Sequence, residues 1–488
     1  MVSQSRLRTA LVGLVLAVAT ICSIVVNAQR QPQDPAAQTY ATYCAGCHGT
    51  TLAGGRAPTL LDDVWHFGGD DAAIRQSIRE GRPGTEMPSF KSMLKDEDIT
   101  ALIGYLRAQA ELAKTSASRA QSPAGQIIQT EKYAVKLEVV ADGLTAPWGM
   151  AFLPDGRLIV TERPGTLRVL EIGKPLPKPI EGIPAVWTEQ DGGLFDVAPH
   201  PDYAHNSWIY LSYAEPGPAA DKSSMTAIIR GRIKDGRWVD QQTLYHAPPA
   251  MFYQSNVHYG SRFLFDQHGH LFYSIGERGH EQDAQDLSLP NGKVHRINDD
   301  GTVPKDNPFV GRAGAIETIW TYGHRNPQGL AFHPVTGKLW EAEHGPVGGD
   351  ELNRLEPGRN YGWPVITNGK MYGTPVQPPA THEGMESPIV SWSPAIAPSG
   401  ITFYTGSRFP KWKNSLFVTG LGGEALRRLE TDGDAVTHEE VVFKGFGRVR
   451  QVINGPDGCL YVALNVPGVR LSDSTPGLII RLVLVVNI

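Results

Sequence analysis

The chain has 488 residues, too many for one small module. Its 41% hydrophobic and 19% charged residues describe a globular protein with a large core, not a disordered one. A net charge of only −5, with no long basic run, gives no support to a nucleic-acid partner.

The first residues follow the three-part pattern of a secretory signal: Arg6 and Arg8, an apolar run from Ala10 to Val26, then Asn27-Ala28-Gln29. Residues 1–28 are therefore expected to be a signal peptide cleaved after Ala28, with an uncleaved membrane anchor as the other reading. Either way the remainder is expected to be periplasmic or secreted. Of the four cysteines, Cys22 lies in the apolar run and Cys459 stands alone.

The other two form Cys44-Ala45-Gly46-Cys47-His48, which reads as a c-type haem attachment site. Each thiol adds across one haem vinyl group, and the adjacent imidazole meets the iron. A zinc site would need two further ligands at matched spacing, and a thioredoxin-type pair would need a βαβ pattern; neither follows. Helical patterns surround the motif. Thr39–Cys44 closes a first helix, Asp70–Glu80 forms a second before Gly81, and Asp96–Glu111 carries Ile99, Leu102, Ile103 and Leu106 at 3–4 spacing. Residues 34–112 thus resemble a small all-α cytochrome c domain. Met87, in Thr85-Glu86-Met87-Pro88, is the expected second axial ligand, with Met93 or His66 as alternatives. Small polar residues over 113–130 read as a linker.

Beyond it, glycine (53) and proline (37) are abundant and long amphipathic helical runs are scarce, which favours turn-rich β structure. One unit recurs six times, at intervals of roughly 45–75 residues: an apolar strand, a turn rich in Pro, Asp and Gly, then a second apolar strand. Examples are Trp148–Phe152 with Leu158–Val160, Leu330–Phe332 with Leu339–Trp340, and Val452–Ile453 with Leu460–Val462. Residues 131–488 are accordingly predicted to be one six-bladed β-propeller, making the fold class mostly β; a pair of β-sandwiches is the alternative.

Polar clusters interrupt the hairpins: Asn256-Val257-His258-Tyr259-Gly260-Ser261-Arg262, Tyr322-Gly323-His324-Arg325-Asn326-Pro327-Gln328-Gly329, Glu343-His344-Gly345-Pro346 with Asp350-Glu351, and Gly447-Arg448-Val449-Arg450-Gln451-Val452. Singly, each is weak, since a loop histidine or arginine is more often a satisfied surface or turn residue than a catalyst. Together they closely resemble the soluble pyrroloquinoline quinone (PQQ)-dependent sugar dehydrogenases, the glucose and aldose sugar dehydrogenases, over nearly all of residues 135–485. That family's fold is a six-bladed propeller.

The resemblance implies that His258 is the general base and that Arg325 and Asn326 sit at the quinone, Arg325 stabilising developing negative charge. It further implies that Arg448 and Arg450 hold the cofactor's carboxylates and that Tyr372 contacts the cofactor. The carbonyls of Gly345 and Pro346 match ligands of the calcium that polarises the quinone, while Glu351 and the carbonyl of Tyr361 match a second calcium site. Two positions depart from the family. Asp191 stands where a glutamine is expected, with Gln190 beside it, and there is no lysine near Gly422 where a cofactor-binding lysine is expected. The expected cofactors are PQQ, Ca2+ and haem c. The expected function is oxidation of the aldose C1 hydroxyl to a lactone, with electrons leaving through the haem to a downstream cytochrome or respiratory-chain acceptor. A non-catalytic carbohydrate-binding or signalling propeller, or a quinoprotein acting on a non-sugar alcohol or aldehyde, are the alternatives.

Overall fold

The computed structural model describes residues 34–49, 52, 57–61, 65–83, 85, 87–115, 122–218, 222–255, 257–372, 376–465 and 476–485. The expected signal segment and Cys22 lie outside them. Among the described residues no helix is long and apolar enough to cross a membrane.

The N-terminal module is helical, as its periodicity predicts. Helix α1 spans Pro35–Tyr43, with the Asp34 carboxylate accepting the Ala36 N–H at its start. A single turn, α2 (Ala45–His48), carries the haem motif. Helix α3 (Asp71–Glu80) is capped by Asp70, which accepts the Ala73 N–H at 2.9 Å, and α4 runs over Asp96–Thr115. Ile74, Ile78, Ile99, Leu102, Ile103 and Leu106 share one buried core, against which Cys44, Met87 and Met93 pack.

Six antiparallel sheets follow, and they form a six-bladed propeller. Blade one holds three strands, Pro147–Phe152, Leu158–Glu162 and Thr166–Leu170. Blades two to five hold four each and begin at Leu194–Pro199, Phe263–Phe265, Pro327–Phe332 and Pro398–Phe403. Blade six combines Arg448–Asn454, Leu460–Asn465 and Pro476–Leu484 with Ala134–Thr145 and Ile127–Gln129 from the other end of the propeller segment. The register Val135↔Leu484 through Thr145↔Pro476 closes the ring. Both ends of the stretch read as a linker are thus structured: α4 reaches Thr115, and Ile127–Gln129 is already an edge strand.

The six recurrent hairpins are the first two strands of the six blades. Their residues are apolar on both faces because each blade is sandwiched between two others. Separate cores fill the spaces between neighbours: Ile159, Leu167, Leu211 and Ile229 lie between blades one and two, and Trp340, Phe403, Val418 and Leu429 between four and five. The first strands of adjacent blades touch one another and ring the axis. Polar bolts tie them. Buried Asp196 (blade two) pairs with Arg262 at 3.0 Å and accepts the Phe263 N–H at 2.8 Å. Arg450 (blade six) donates to Gln328 (blade four) at 2.8 Å. Three of the polar clusters found in the sequence lie at the entries of first strands. The fourth, Glu343–Glu351, joins the second and third strands of blade four, where Glu343 pairs with Pro327 at the start of the first strand, so all four converge on one end of the axis.

Candidate active site

A cavity of about 640 Å³, including its open mouth, lies at this end. Trp148, Phe195 and Tyr259 give it an aromatic wall, with successive ring centroids 5.5 and 5.2 Å apart. Arg163, Arg448 and Arg450 line it, whereas Asp191 is the only acidic residue of the lining among the described residues. Arg262 and Arg450 lie over the Trp148 ring, 4.4 and 5.3 Å from its centroid. Burial, and then the neighbouring guanidinium groups of Arg448, Arg262 and Arg163, hold Arg450 well below the usual arginine range. So many cations around one cavity fit a flat polyanion, whose carboxylates would relieve their mutual repulsion. PQQ, planar with three carboxylates, meets that description.

His258 stands beside this cavity, in sequence next to the lining residues Tyr259 and Gly260. Its φ is +53°, an uncommon conformation, and the surroundings enforce it. Arg278, wholly buried and 3.5 Å from the Tyr259 ring centroid, donates to the carbonyls of Ser255 (2.5 Å) and Val257. Gly276 lets the His258 backbone come close, since a β-carbon there would lie 2.2 Å from the His258 carbonyl oxygen. Next to that glycine, buried Glu277 hydrogen-bonds His258 Nδ1, leaving Nε2 for a reacting group. Burial and then Arg325 push the His258 pKa below its usual value, against the opposing pull of Glu277. Burial would raise Glu277, but the charge and hydrogen bond of His258 bring it below the usual glutamate value. A neutral imidazole backed by a carboxylate is poised as a general base.

The Gly323–Gly329 signature owes its shape to Glu343. This buried carboxylate accepts from the backbone N–H groups of Arg325 (2.6 Å) and Asn326 (3.2 Å) and pairs with His324 Nδ1 at 3.0 Å. Asn326 lines the cavity and accepts the Gly260 N–H at 3.0 Å. Arg325 donates to the Gly345 carbonyl at 2.7 Å, and Tyr372 donates to the Pro346 carbonyl at 3.1 Å. The two carbonyls expected at calcium therefore face the two side chains expected at the quinone, and a divalent cation would compete with those hydrogen bonds. Gln190 and Asp191 both line the cavity: the Gln190 carbonyl accepts from Arg163 at 2.6 Å, and Asp191 accepts the His258 N–H at 3.4 Å.

Glu351 lies apart from this cavity, across the sheet from Glu343. Glu341, Glu343 and Glu351 share one donor, Asn353 Nδ2, at 3.2, 3.4 and 3.3 Å. Burial and then the charge of Glu343 raise Glu341 and Glu351 well above the usual carboxylate range, and Glu341 Oε1 has no hydrogen-bond partner among the described residues. His324, Glu341 and Glu343 have ligand atoms within 4.8 Å of one another. This oxygen-rich, under-neutralised cluster suits a hard cation such as calcium. Tyr361 packs beside it, stacked on His324 with centroids 4.9 Å apart.

In the helical module His48 Nδ1 lies 2.8 Å from the Pro58 carbonyl. That contact holds the proton on Nδ1 and frees Nε2 for iron, the arrangement a haem ligand needs. Met87 and Met93 both pack on the core that carries Cys44, whereas His66 is exposed. Sequence reasoning gave no site role to Glu277, Arg163, Trp148 or His344, although it placed His344 in a polar cluster and Trp148 in a hairpin strand. Glu277 and Arg163 sit in Gly-rich turns, and only the fold brings them to the site.

Fold and site together define a propeller oxidoreductase with a fused c-type cytochrome. The chain belongs to the glucose/sorbosone dehydrogenase family, whose profile matches residues 144–472; residues 31–106 match the subunit III family of cbb3-type cytochrome c oxidase. It is 40% identical over 349 residues to the aldose sugar dehydrogenase YliI of Escherichia coli, covering 70% of this chain and 93% of that protein. Quinoprotein glucose dehydrogenase B of Acinetobacter calcoaceticus is 29% identical over 68% of this chain and 85% of its own length. The PQQ-bound aldose sugar dehydrogenase structure from Streptomyces coelicolor superposes with a TM-score of 0.59 at 27% identity, covering 74% of this chain and all (100%) of its own.

Proposed function

We propose that this protein is an exported PQQ- and calcium-dependent aldose dehydrogenase that passes its electrons through its own haem. The observation that carries the reading is the Glu277–His258 pair beside an arginine-lined cavity. Arg448 and Arg450 hold the cofactor's carboxylates, joined by Arg163, while Arg325, Asn326, Gln190, Asp191 and Tyr372 surround the rest of it. Bound there with calcium at the Gly345 and Pro346 carbonyls, PQQ supplies a two-electron hydride acceptor.

His258 Nε2 accepts the proton of the anomeric hydroxyl as C1 is oxidised to the lactone. Glu277 keeps the ring in the tautomer that offers Nε2 as acceptor and stabilises the imidazolium that forms. Arg325 places positive charge where negative charge develops. Cys44 and Cys47 would hold the haem covalently, and His48 and Met87 would be the ligands to its iron. Reduced equivalents pass to a downstream cytochrome or respiratory-chain carrier outside the cytoplasm.

The test is to load the protein with PQQ and Ca2+, add a panel of aldoses and follow the haem absorbance. Reduction by at least one aldose, abolished in His258→Ala, is expected. A haem that stays oxidised with every aldose overturns the reading.

A further inference from the structure

The haem-bearing turn touches the propeller, and it does so immediately behind the cavity. On the propeller side the contact is the turn Leu421-Gly422-Gly423-Glu424. Leu421 lines the cavity, and the next residue, Gly422, faces Gly46, one of the two residues between the haem cysteines: a β-carbon on Gly422 would lie 3.4 Å from Gly46 Cα and 3.5 Å from Ala397 Cβ. The turn is firmly held. Leu421 N–H donates to the Ala397 carbonyl, and the Gly422 and Gly423 N–H groups both donate to that of Ile396. Asp350 in turn accepts the N–H groups of Ile396 (2.6 Å), Ala397 (2.7 Å) and Gly345 (2.8 Å), so one carboxylate ties this turn to the loop expected at calcium.

A second contact is made by Lys370. Lys370 Nζ donates to the Tyr43 hydroxyl at 2.9 Å, and the Lys370 backbone pairs in both directions with Val347, next to Pro346. Glu424, wholly buried at the seam, lies within electrostatic reach of Tyr40. Tyr40 in turn donates to the Gly49 carbonyl at 2.6 Å, bracing the haem turn. Both contact points on the propeller are one residue removed from the cavity wall or the expected calcium loop.

We propose that the Leu421–Glu424 turn is the seat on which the haem module docks to receive electrons, with Gly422 the notch that admits the Cys44–His48 turn. The absence of a long side chain at 422, where the family resemblance leads one to expect a lysine, is then a requirement of the seat, which has room for a β-carbon and little more. The contact itself rests on geometry alone; the passage of electrons rests on the dehydrogenase reading. Oxidation of one aldose to its lactone releases two electrons and two protons. The haem iron takes one electron at a time, Fe(III) to Fe(II). An external one-electron acceptor of the small-cytochrome class must re-oxidise it between the two, while the protons leave to solvent. Tethering makes such a small contact sufficient, because the module is always present at high local concentration.

The test uses the haem-loaded full chain and the variants Gly422→Trp, Gly422→Ala and Lys370→Ala. Small-angle scattering without added PQQ reads the seat directly: Gly422→Trp is expected to increase the radius of gyration, and Gly422→Ala to leave it unchanged. With PQQ, calcium and aldose, the rate of haem reduction is compared with that of a phenazine dye. That ratio is expected to fall at least about tenfold in Gly422→Trp and roughly two- to threefold in Lys370→Ala, whose dye reduction is unchanged. An unchanged scattering profile in Gly422→Trp, or an unchanged ratio in both Gly422→Trp and Lys370→Ala, overturns the proposal. If even the parent protein fails to reduce dye, the dehydrogenase reading falls, and scattering alone decides the seat: expansion supports it and an unchanged profile overturns it.

Discussion

Replacing Glu277 with Gln tests the site at its most informative atom. The carboxylate hydrogen-bonds His258 Nδ1 from a buried position and opposes the lowering of the His258 pKa by burial and Arg325. Charge centres about 4 Å apart at an effective dielectric near 20 interact by about 4 kcal/mol. If roughly half a proton has reached the ring in the transition state, about 2 kcal/mol is lost, or ~30-fold in kcat. The amide N–H of Gln can also donate to Nδ1, forcing the proton onto Nε2 and removing the acceptor, for a total loss of about 10²–10³-fold. The sign of the pH effect is fixed. Glu277 raises the His258 pKa, so its neutralisation lowers that pKa, and the acid limb of kcat moves to lower pH even as kcat falls. The assay is steady-state dye reduction by PQQ- and calcium-loaded enzyme across about pH 5–9, the window in which histidine titrates. A kcat within about threefold of the parent, or an acid limb that moves upward, would refute the role of the pair.

Gly276→Ala forces a β-carbon into the His258 carbonyl, and its midpoint in urea should show a loss of about 2–4 kcal/mol together with activity. Asp196→Ala leaves Arg262 buried without its carboxylate and should cost about 3–5 kcal/mol by the same measurement, a loss under 1 kcal/mol refuting the bolt. Calcium at the Glu341–Glu343–Glu351 cluster should stabilise the protein by about 2.7 kcal/mol at a hundred times its Kd, seen by calorimetry as a chelator-sensitive rise in Tm. Glu351→Gln should remove the calcium-dependent shift. A Tm indifferent to chelator in the parent protein would count against the site.

The inner half of every blade was legible because strands such as Leu158–Glu162 and Leu416–Gly420 are buried on both faces and bounded by Pro, Asp and Gly. Outer strands were not. Arg237–Tyr245 is largely exposed and Val390–Trp392 is only three residues long, so neither carries an apolar pattern. Ile127–Gln129 looked like linker for the same reason: an edge strand with two exposed residues has nothing to bury. At the site, His258, Arg325 and Arg448 were legible only through family resemblance, since a loop histidine or arginine has no signature of its own. Glu277, in Gly276-Glu277-Arg278-Gly279, is indistinguishable from turn chemistry until the fold brings blade three's second strand against the His258 loop.

The sixth blade imposes a chronology. Ala134–Thr145 is synthesised long before its ladder partner Pro476–Leu484. Until then Val135 and Leu137 have no sheet to cover them, and the ring stays open. The helical module, complete at Thr115, can acquire its haem throughout that interval. An order is thereby built into the chain: the helical module can fold while the propeller ring is still open, and the ring closes after it.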